Sequence, residues 1–314
     1  MRMAKDNSIQ YLGILFLAAI IIFSVLIPDV FWSVANFQSM ASQISVLGIL
    51  TLAMAIPMIT GGINLSIIAS MNACSLIIAY YVTQQDSSLY LILGLTLSLL
   101  CAVMIGLFNG VLIAFIKVSP ILATLGTMTL INGINILLTN GSTIANFPES
   151  ILSINSIEIF YIPLPVLLFI VLAVVVWFIM EKTTIGKSIY FIGNNEKATL
   201  YSGINVNKSI TIVYVLSSIL CVFAAVIMMS KLNSAKASYG DSYLLISILA
   251  AVLGGINPDG GKGKIFGIII ALIILQMIES GLNMLGISSY ITMILWGVLL
   301  VMFIFLQKSK FLKP

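Results

Sequence analysis

The sequence predicts an all-α, polytopic membrane protein with about ten transmembrane helices and both termini in the cytosol. Three observations lead to this prediction: the composition, a series of long apolar runs, and the uneven distribution of lysine and arginine. Of the 314 residues, 61% are apolar and 8% are charged, whereas a soluble domain carries about 25% charged residues. Because so few charges cannot cover a surface in water, lipid must surround most of this chain.

A helix needs about 20 mostly apolar residues to cross the hydrocarbon core of a bilayer. Ten runs approach that length, at about 11–28, 44–60, 65–83, 89–116, 121–139, 163–181, 210–230, 243–256, 265–283 and 290–306. The eighth run is short and ends in glycine, so nine or eleven spans also fit. The first run has no small-residue cleavage site, and we interpret it as a retained helix and not a signal peptide. No polar stretch interrupts the series for long, which favours a single transmembrane domain over residues 1–314.

The basic residues predict the orientation, since cytosolic loops are enriched in lysine and arginine. With ten spans and a cytosolic N-terminus, the only basic residues outside the cell are Lys231 and Lys236, which leaves twelve of the fourteen inside. The predicted cytosolic segments are 1–10, 61–64, 117–120, 182–209, 257–264 and 307–314. A wrong span count would destroy this separation, so the charges support both the count and the direction.

Two apolar runs end in the same short pattern, Gly61-Gly62-Ile63-Asn64 and Gly254-Gly255-Ile256-Asn257. Paired glycine-broken segments are typical of a transport path, because the freed backbone groups must lie beside protein or water. The same pattern also fits an ordinary glycine-capped helix end followed by a turn. Both interpretations stay open from the residues alone.

No catalytic or metal-binding set is visible in the sequence. The chain has no histidine, and it lacks a nucleotide-binding loop, an HExxH motif and a nucleophile elbow. Cys74, Cys101 and Cys221 each lie in an apolar run without a CxxC pattern, and we interpret them as small buried hydrophobic residues. We therefore predict that the chain is not an enzyme and binds no cofactor or metal, and that any ATP that drives it binds to another polypeptide.

The longest cytosolic loop, Lys182–Ser209, exceeds what a turn between helices requires, and loops of this length are usually functional or disordered. Its centre predicts a short helix, with Asn194 or Asn195 as the N-cap, Glu196 in the first turn and Gly203 at the end. Such a helix suits either docking of a partner protein or simple contact with the lipid interface.

This loop resembles the GR-x-x-Y-AIGGNE-x-AA-x-x-SGI signature of the ribose/galactose-type ABC permease family, whose members import monosaccharides and autoinducer-2. Gly61–Ser66 is similar to the family's GGIDLSVG, with Asn64 where aspartate is usual. Further similar stretches, in the same order as in the family, lie at 117–128, 251–263 and 280–288, beside the signature itself at 186–204. The resemblance thus covers about 60 to 290.

The resemblance implies a type II ABC importer-like fold in a bacterial inner membrane. It also implies the role of permease subunit in an ATP-driven importer for a monosaccharide of the ribose, galactose and xylose class, or for autoinducer-2. The implied partners are two cytosolic ATPase subunits or one tandem ATPase that binds ATP and magnesium, a second permease copy or paralogue, an extracytoplasmic sugar-binding protein, and membrane lipid. No role with nucleic acid is implied.

By the same resemblance, the 194–204 stretch couples the permease to the ATPase, and glycines and polar residues in the spans line or shape the path. Without its charge, Asn64 can still hydrogen-bond a sugar hydroxyl or cap the next helix. The coupling residues are Gly193, Asn194, Asn195, Glu196, Lys197, Ala198, Thr199, Tyr201, Ser202 and Gly203. The path residues are Gly61, Gly62, Asn64, Ser66, Thr124, Gly126, Thr127, Gly254, Gly255 and Glu279.

Two other classes of protein compete with this interpretation. A gradient-driven secondary transporter needs ionisable groups inside the membrane, and this sequence offers only Glu279, near the external end of its span. A multispanning enzyme needs a cluster of acids, bases or metal ligands at one membrane face, and none is visible. Glu279 itself either lies at the outer headgroup level or acts in transport, by binding sugar hydroxyls or bracing a partner subunit.

Overall fold

The computed structural model describes residues 8–159 and 162–309, and within them the chain is mostly helical. The helices are α1 (Ser8–Leu26), α2 (Pro28–Phe31), α3 (Val34–Ile59), α4 (Ile67–Gln84), α5 (Ser88–Ala114), α6 (Pro120–Thr139), α7 (Glu149–Ser156), α8 (Leu164–Lys182), α9 (Thr184–Asn194), α10 (Glu196–Tyr201), α11 (Val206–Leu232), α12 (Asp241–Leu253), α13 (Ile265–Met284) and α14 (Ser289–Ser309). Four two-residue strands complete it: β1 (Ile144–Ala145), β2 (Glu158–Ile159), β3 (Ile162–Pro163) and β4 (Ser234–Ala235).

Helices α3, α4, α5, α6, α8, α11 and α13 are long and apolar enough to cross a membrane, which makes seven in the described part of the chain. Shorter apolar stretches lie in α1, α12 and α14. The prediction of a helical, polytopic membrane protein is confirmed. Each of the ten predicted runs overlaps one of these ten helices, while the count of ten spans stays a prediction.

Helix α3 forms the centre of the bundle. All of its residues from Ser45 to Ile59 are buried, and it packs against α8, α11, α12 and α13. A helix that is apolar on every side belongs in such a position. By contrast, the most apolar windows of α5, α6 and α8 are only 28% buried, as expected for helices with one face toward lipid.

Close packing of α5 on α11 depends on two glycines one helical turn apart. A Cβ atom on Gly106 would lie 2.5 Å from the Cα of Val215, and one on Gly110 would lie 2.8 Å from the Cα of Thr211. Small residues at this spacing let two helix backbones approach closely, and the resulting van der Waals packing is one of the forces that associate helices in lipid.

The connections divide between the two ends of the bundle. Four of the predicted cytosolic segments, 61–64, 117–120, 182–209 and 257–264, lie together at one end, here called the glycine-rich end. The other end, here called the strand end, carries α7 and the pairing of β1 with β4. The two remaining cytosolic segments of the prediction, 1–10 and 307–314, fall largely outside the described residues.

Candidate functional site

The two glycine pairs are helix caps of one type, shifted by one residue. At the end of α3, Gly61 has φ of +82° and its N–H donates to Met58 O, while Gly62 N–H donates to Pro57 O. At the end of α12 the left-handed residue is Gly255, with φ of +87°. Its N–H donates to Val252 O, and Ile256 N–H donates to Ala251 O. Both are Schellman motifs, so the glycine-capped helix end is the structure that the sequence pattern encodes.

The loop that follows the α12 cap lies against the cap of α3 and against the start of the coupling segment. The N–H of Gly261 donates to Ile59 O at 2.8 Å. A Cβ atom on Gly193 would collide with both Ile59 O and Gly261 N, and one on Gly260 would lie 2.7 Å from Gly61 N. Glycine is required here because backbone meets backbone.

Two side chains fasten the 182–209 loop to the 257–264 loop. Tyr190 Oη donates to Gly263 O at 2.9 Å, and Asn194 Nδ2 donates to Gly261 O at 3.2 Å. Burial, with a smaller contribution from Glu181, raises the pKa of the Tyr190 phenol, so this group stays a neutral hydrogen-bond donor. The end of α9, from which the coupling segment continues, is therefore attached to the 257–264 loop, and this loop is attached to the end of α3.

Residues 60–66, here called the broken segment, enter the bundle core through a chain of buried side chains. Asn64 Nδ2 donates to Ser217 Oγ at 2.9 Å, and Ser66 Oγ donates to Asn64 Oδ1 at 2.7 Å. Asn109 Nδ2 donates to Ser66 Oγ at 3.0 Å, and Thr127 Oγ1 donates to Asn109 Oδ1 at 2.7 Å. We call Asn64, Ser66, Asn109, Thr127 and Ser217 the polar network; it joins the broken segment to α5, α6 and α11.

The polar network is a structural joint. Each of its side chains is at most 3% exposed and has at least one hydrogen-bond partner. Asn64 Oδ1 also accepts from Ser66 N at 3.1 Å, in the turn just before α4. The N-cap of α4 is Ser66, and no side chain caps this helix. Buried polar groups that bond to one another in this way favour one arrangement of the core.

Thr124 makes a second attachment of α6 to the broken segment. Its Oγ1 accepts from Leu65 N at 3.1 Å, and its one hydroxyl proton is shared between Ile63 O at 3.0 Å and Pro120 O at 2.8 Å. The predicted path residues Asn64, Ser66, Thr124 and Thr127 are thus brought together. Gly126 is not, since it lies on the exposed face of α6, where an added Cβ atom would meet no other atom within 4 Å.

Sequence reasoning missed Asn109 and Ser217, although each interrupts an apolar run. A polar residue in the middle of a span is expensive unless it is partnered, and that signal would have found both. It also missed α9, an amphipathic helix that precedes α10.

Three other buried hydroxyls have no partner in the part of the chain that the structure describes: those of Tyr214, Ser218 and Ser247. Tyr214 Oη occupies the space where a side chain on Gly62 would project, 2.5 Å from the ideal Cβ position. This explains the glycine at a position where the backbone itself does not require one, because Gly62 lacks a positive φ.

The short helix predicted between Asn194 and Gly203 is confirmed as α10. Asn195 is its N-cap and accepts from Ala198 N at 3.0 Å, and Gly203 follows its end with φ of +80°. Ala198 and Tyr201 are exposed, whereas Thr199 is buried against the bundle. The remaining predicted coupling residues in this helix and its flanks are all exposed, except for the half-buried Gly193; they are Asn194, Asn195, Glu196, Lys197, Ser202 and Gly203.

A charged contact attaches α10 to the turn between α5 and α6. Lys117 Nζ lies 3.1 Å from Glu196 Oε1 and donates to Asn207 Oδ1 at 3.3 Å. A groove of about 550 Å³ opens beside this contact, lined also by Leu200 and by residues 203–207.

Glu279 lies far from the polar network, near the strand-end terminus of α13. It is half-buried and lies within electrostatic range of Lys231 on α11 and Tyr243 on α12. The neighbouring Ser280 Oγ donates to Asn36 Oδ1 at 2.6 Å. Within the described residues, no group of three or more acids and cysteines could hold a metal ion.

Known proteins resemble this chain over most of its length. The family described as "Branched-chain amino acid transport system / permease component" matches residues 36–304. The ribose import permease protein RbsC of Bacillus subtilis is 33% identical over 96% of this chain and 92% of its own. The protein of the same name from Haemophilus influenzae is 36% identical, over 91% and 88%.

A third relative is the autoinducer 2 import system permease protein LsrD of Photorhabdus temperata, 33% identical over 81% of this chain and 78% of its own. No solved structure matches the chain.

Proposed function

This chain belongs to the permease family that the match over residues 36–304 defines, and we propose that it is the membrane-spanning subunit of an ATP-driven importer for a monosaccharide. It is a multi-pass protein of the bacterial inner membrane. The family description names branched-chain amino acids, but the ribose permeases are 33–36% identical over more than nine tenths of the chain. An individual relative of this similarity indicates the substrate more specifically than the description of a whole family does. A pentose-like sugar is therefore the favoured substrate.

A second candidate substrate is autoinducer-2. The permease for this signal is as similar in identity, 33%, but the similarity covers 81% of the chain, compared with 96% for the ribose permease of Bacillus subtilis. The observation that favours the sugar is therefore the larger share of this chain that the ribose permease matches. Uptake of labelled ribose and of labelled autoinducer-2 by the same cells distinguishes the two.

The chain is a transport subunit, and we place ATP hydrolysis on a separate protein. The sequence has no nucleotide-binding loop. The proposed assembly contains two ATPase subunits or one tandem ATPase with ATP and magnesium, a second permease copy or paralogue, and an extracytoplasmic sugar-binding protein. One transmembrane domain spans residues 1–314 in this proposal.

We propose ten spans with both termini in the cytosol, so that the glycine-rich end faces the ATPase. One observation supports this orientation: the lysine-rich segments 182–209 and 257–264 lie at the same end of the bundle as 61–64 and 117–120. Loops rich in lysine are retained in the cytosol, so this end should face the cytosol.

Single cysteines test this orientation. In intact cells, Ser156→Cys and Ser238→Cys are expected to react with an impermeant thiol reagent, while Lys187→Cys is expected to react only after the membrane is opened. Labelling of Lys187→Cys from outside would overturn the topology.

The coupling role of α10 is the centre of this proposal. One observation carries it: α10 is a capped helix of six residues with an exposed outer face. It packs on α9, whose last residue, Asn194, bonds to the 257–264 loop, and its Glu196 pairs with Lys117 just before α6. A rigid, exposed element with such attachments suits a partner that binds it and moves the spans. Ala198, on the outer face, permits close approach by that partner.

Ala198→Trp tests the coupling role. We expect it to reduce co-purification of the ATPase and uptake by about 100-fold or more, since a bulky side chain at the centre of an interface costs several kcal/mol. The amount of permease in the membrane should not change, because Ala198 is exposed. Ala145→Trp is the matched control, an exposed alanine at the strand end. Normal binding of the ATPase by Ala198→Trp would contradict the proposal.

For the path, we propose that the broken segment and the caps of α3 and α12 form its wall near the glycine-rich end. Gly61, Gly62, Gly254 and Gly255 shape this wall, and the polar network together with Thr124 holds it in position. Glu279 lies near the opposite end, where an incoming sugar or a partner subunit would meet it first. Gly126 contributes to the outer surface of α6.

A further inference from the structure

Among the residues that the structure describes, Lys117 and Glu196 form the one ion pair, at 3.1 Å. It joins positions 79 residues apart in the chain. The ammonium group also donates to Asn207 Oδ1 at 3.3 Å, so a single side chain connects the α5–α6 turn to α10 and to the first turn of α11. Of the two charged residues on α10, Glu196 is thus engaged within its own chain, and Lys197 is the exposed charge left to meet a partner.

The backbone of Lys117 is unusual. Its φ is +63°, a left-handed conformation that is uncommon for residues other than glycine and costs conformational free energy. A glycine would adopt it without that cost. The tight turn is closed by Val118 N, which donates to Leu112 O at 3.0 Å. A lysine at this position directs its side chain toward α10, which a glycine could not do.

The ion pair between Lys117 and Glu196 contributes little to the stability of the fold. The two side chains are 57% and 53% exposed, and ion pairs as exposed as this contribute little to folding. The contact differs from other surface pairs in what it connects, because Lys117 comes three residues before α6.

Helix α6 leads directly from Lys117 to the broken segment. Pro120, its first residue, lies 3.4 Å from the ideal Cβ position of Gly62. One turn later Thr124 bonds to Ile63 O and Leu65 N, and Thr127 bonds to Asn109 of the polar network. A displacement of α10 that pulls on Lys117 therefore reaches the broken segment through one continuous helix.

We propose that Lys117 is a positioning residue that transmits the movement of α10 to α6 and, through Thr124 and Thr127, to the broken segment. The inference rests on the proposed function of α10 as the element that the ATPase binds. It assigns Glu196 to a contact within the permease and not to a contact with the ATPase.

A charge swap tests this assignment. The complete importer, with its ATPase and binding protein, is made with Lys117→Glu, with Glu196→Lys, and with both substitutions. Lys117→Arg serves as the conservative control, because an arginine keeps the ion pair. Uptake of labelled ribose, galactose and xylose is measured together with ATP hydrolysis and the amount of ATPase that co-purifies.

Each single reversal is expected to lower the sugar moved per ATP hydrolysed about fivefold or more, since it removes an ion pair and places like charges together. The ATPase should remain bound in both. The double variant should return to within about twofold of wild type, as coupled residues in a double-mutant cycle do, and Lys117→Arg should resemble wild type. A purely structural role would change the amount of protein and leave the ratio of sugar to ATP unaltered.

Three results would overturn the inference. Unaltered transport in both single variants would show that the pair transmits nothing. Loss of the ATPase from Glu196→Lys without recovery in the double variant would show that Glu196 contacts the ATPase directly. If the wild-type chain neither binds an ATPase nor imports any of the three sugars, the proposed function fails, and the inference fails with it.

Discussion

Two regions of the glycine-rich end are built in opposite ways, although each contains polar residues singled out from the sequence. The polar network is at most 3% exposed and each member has a partner within the chain. Helix α10 has a capped backbone but an outer face of exposed side chains, with Tyr201 89% exposed. A polar residue that is buried and hydrogen-bonded thus indicates a contact that holds helices together. A polar residue that is exposed on a capped helix indicates a docking surface.

Gly193 lies just before α10, where α9 packs against the end of α3 and the 257–264 loop, and its substitution should have the largest effect. In Gly193→Ala the new methyl group would collide with backbone atoms of Ile59 and Gly261, neither of which can rotate away. We expect the free energy of unfolding to fall by about 3 kcal/mol or more, which is the upper part of the range for overpacked cores. The folded fraction recovered in detergent and its midpoint of thermal unfolding measure this.

Gly126→Ala is the control for that prediction. It lies in a helix with no atom within 4 Å of the new methyl group, and alanine favours helix by about 1 kcal/mol. Equal recovery of the two variants would mean that Gly193 is not packed against the end of α3 and the 257–264 loop as closely as described.

Loss of one hydrogen bond in the polar network should have the next largest effect. Thr127→Val keeps the shape of the side chain but removes the donor to Asn109 Oδ1. A buried acceptor left without its partner costs about 1–3 kcal/mol, which thermal unfolding in detergent would detect.

Thr129→Val, on the same helix, provides the matched comparison. The Thr129 hydroxyl is exposed and donates only to Leu125 O of its own helix, so its loss should change stability by less than about 0.5 kcal/mol. If both variants unfold at the same temperature, the network is not the joint that distinguishes the two regions.

The smallest effect is expected from the cap of α10. Asn195→Ala removes the acceptor for Ala198 N, and loss of an N-cap costs about 1 kcal/mol. Because α10 packs weakly, this loss should appear as about fivefold weaker binding of the ATPase, with thermal stability of the permease unchanged.

Asn205→Ala removes the same kind of cap from α11, where Asn205 accepts from Lys208 N at 3.0 Å. Helix α11 is held by its packing against α3, α4 and α5, so ATPase binding should stay normal. Equal weakening by both variants would show that the whole loop, and not α10 alone, forms the docking surface.

Much of the site was predictable where it depends on neighbours in sequence. The cap at Asn195, the end at Gly203 and the two glycine turns follow from the preferences of a few adjacent residues. Even so, the sequence pattern aligned Gly61 with Gly254, whereas the left-handed residue is the first glycine of one pair and the second of the other. The position of the last hydrogen-bonded turn, which packing determines, decides which glycine takes this role.

The sequence by itself determined the solvent, the helical class and the family, because composition, apolar run length and local motifs do not depend on which segments meet. The tertiary structure decided which residues bond to each other. Asn64 bonds to Ser217, 153 residues away, and Lys117 pairs with Glu196, 79 residues away. Such contacts form only when the helices pack together. A polar residue in an apolar run can therefore either hold two helices together or line a pathway, and the helix that packs against it decides which.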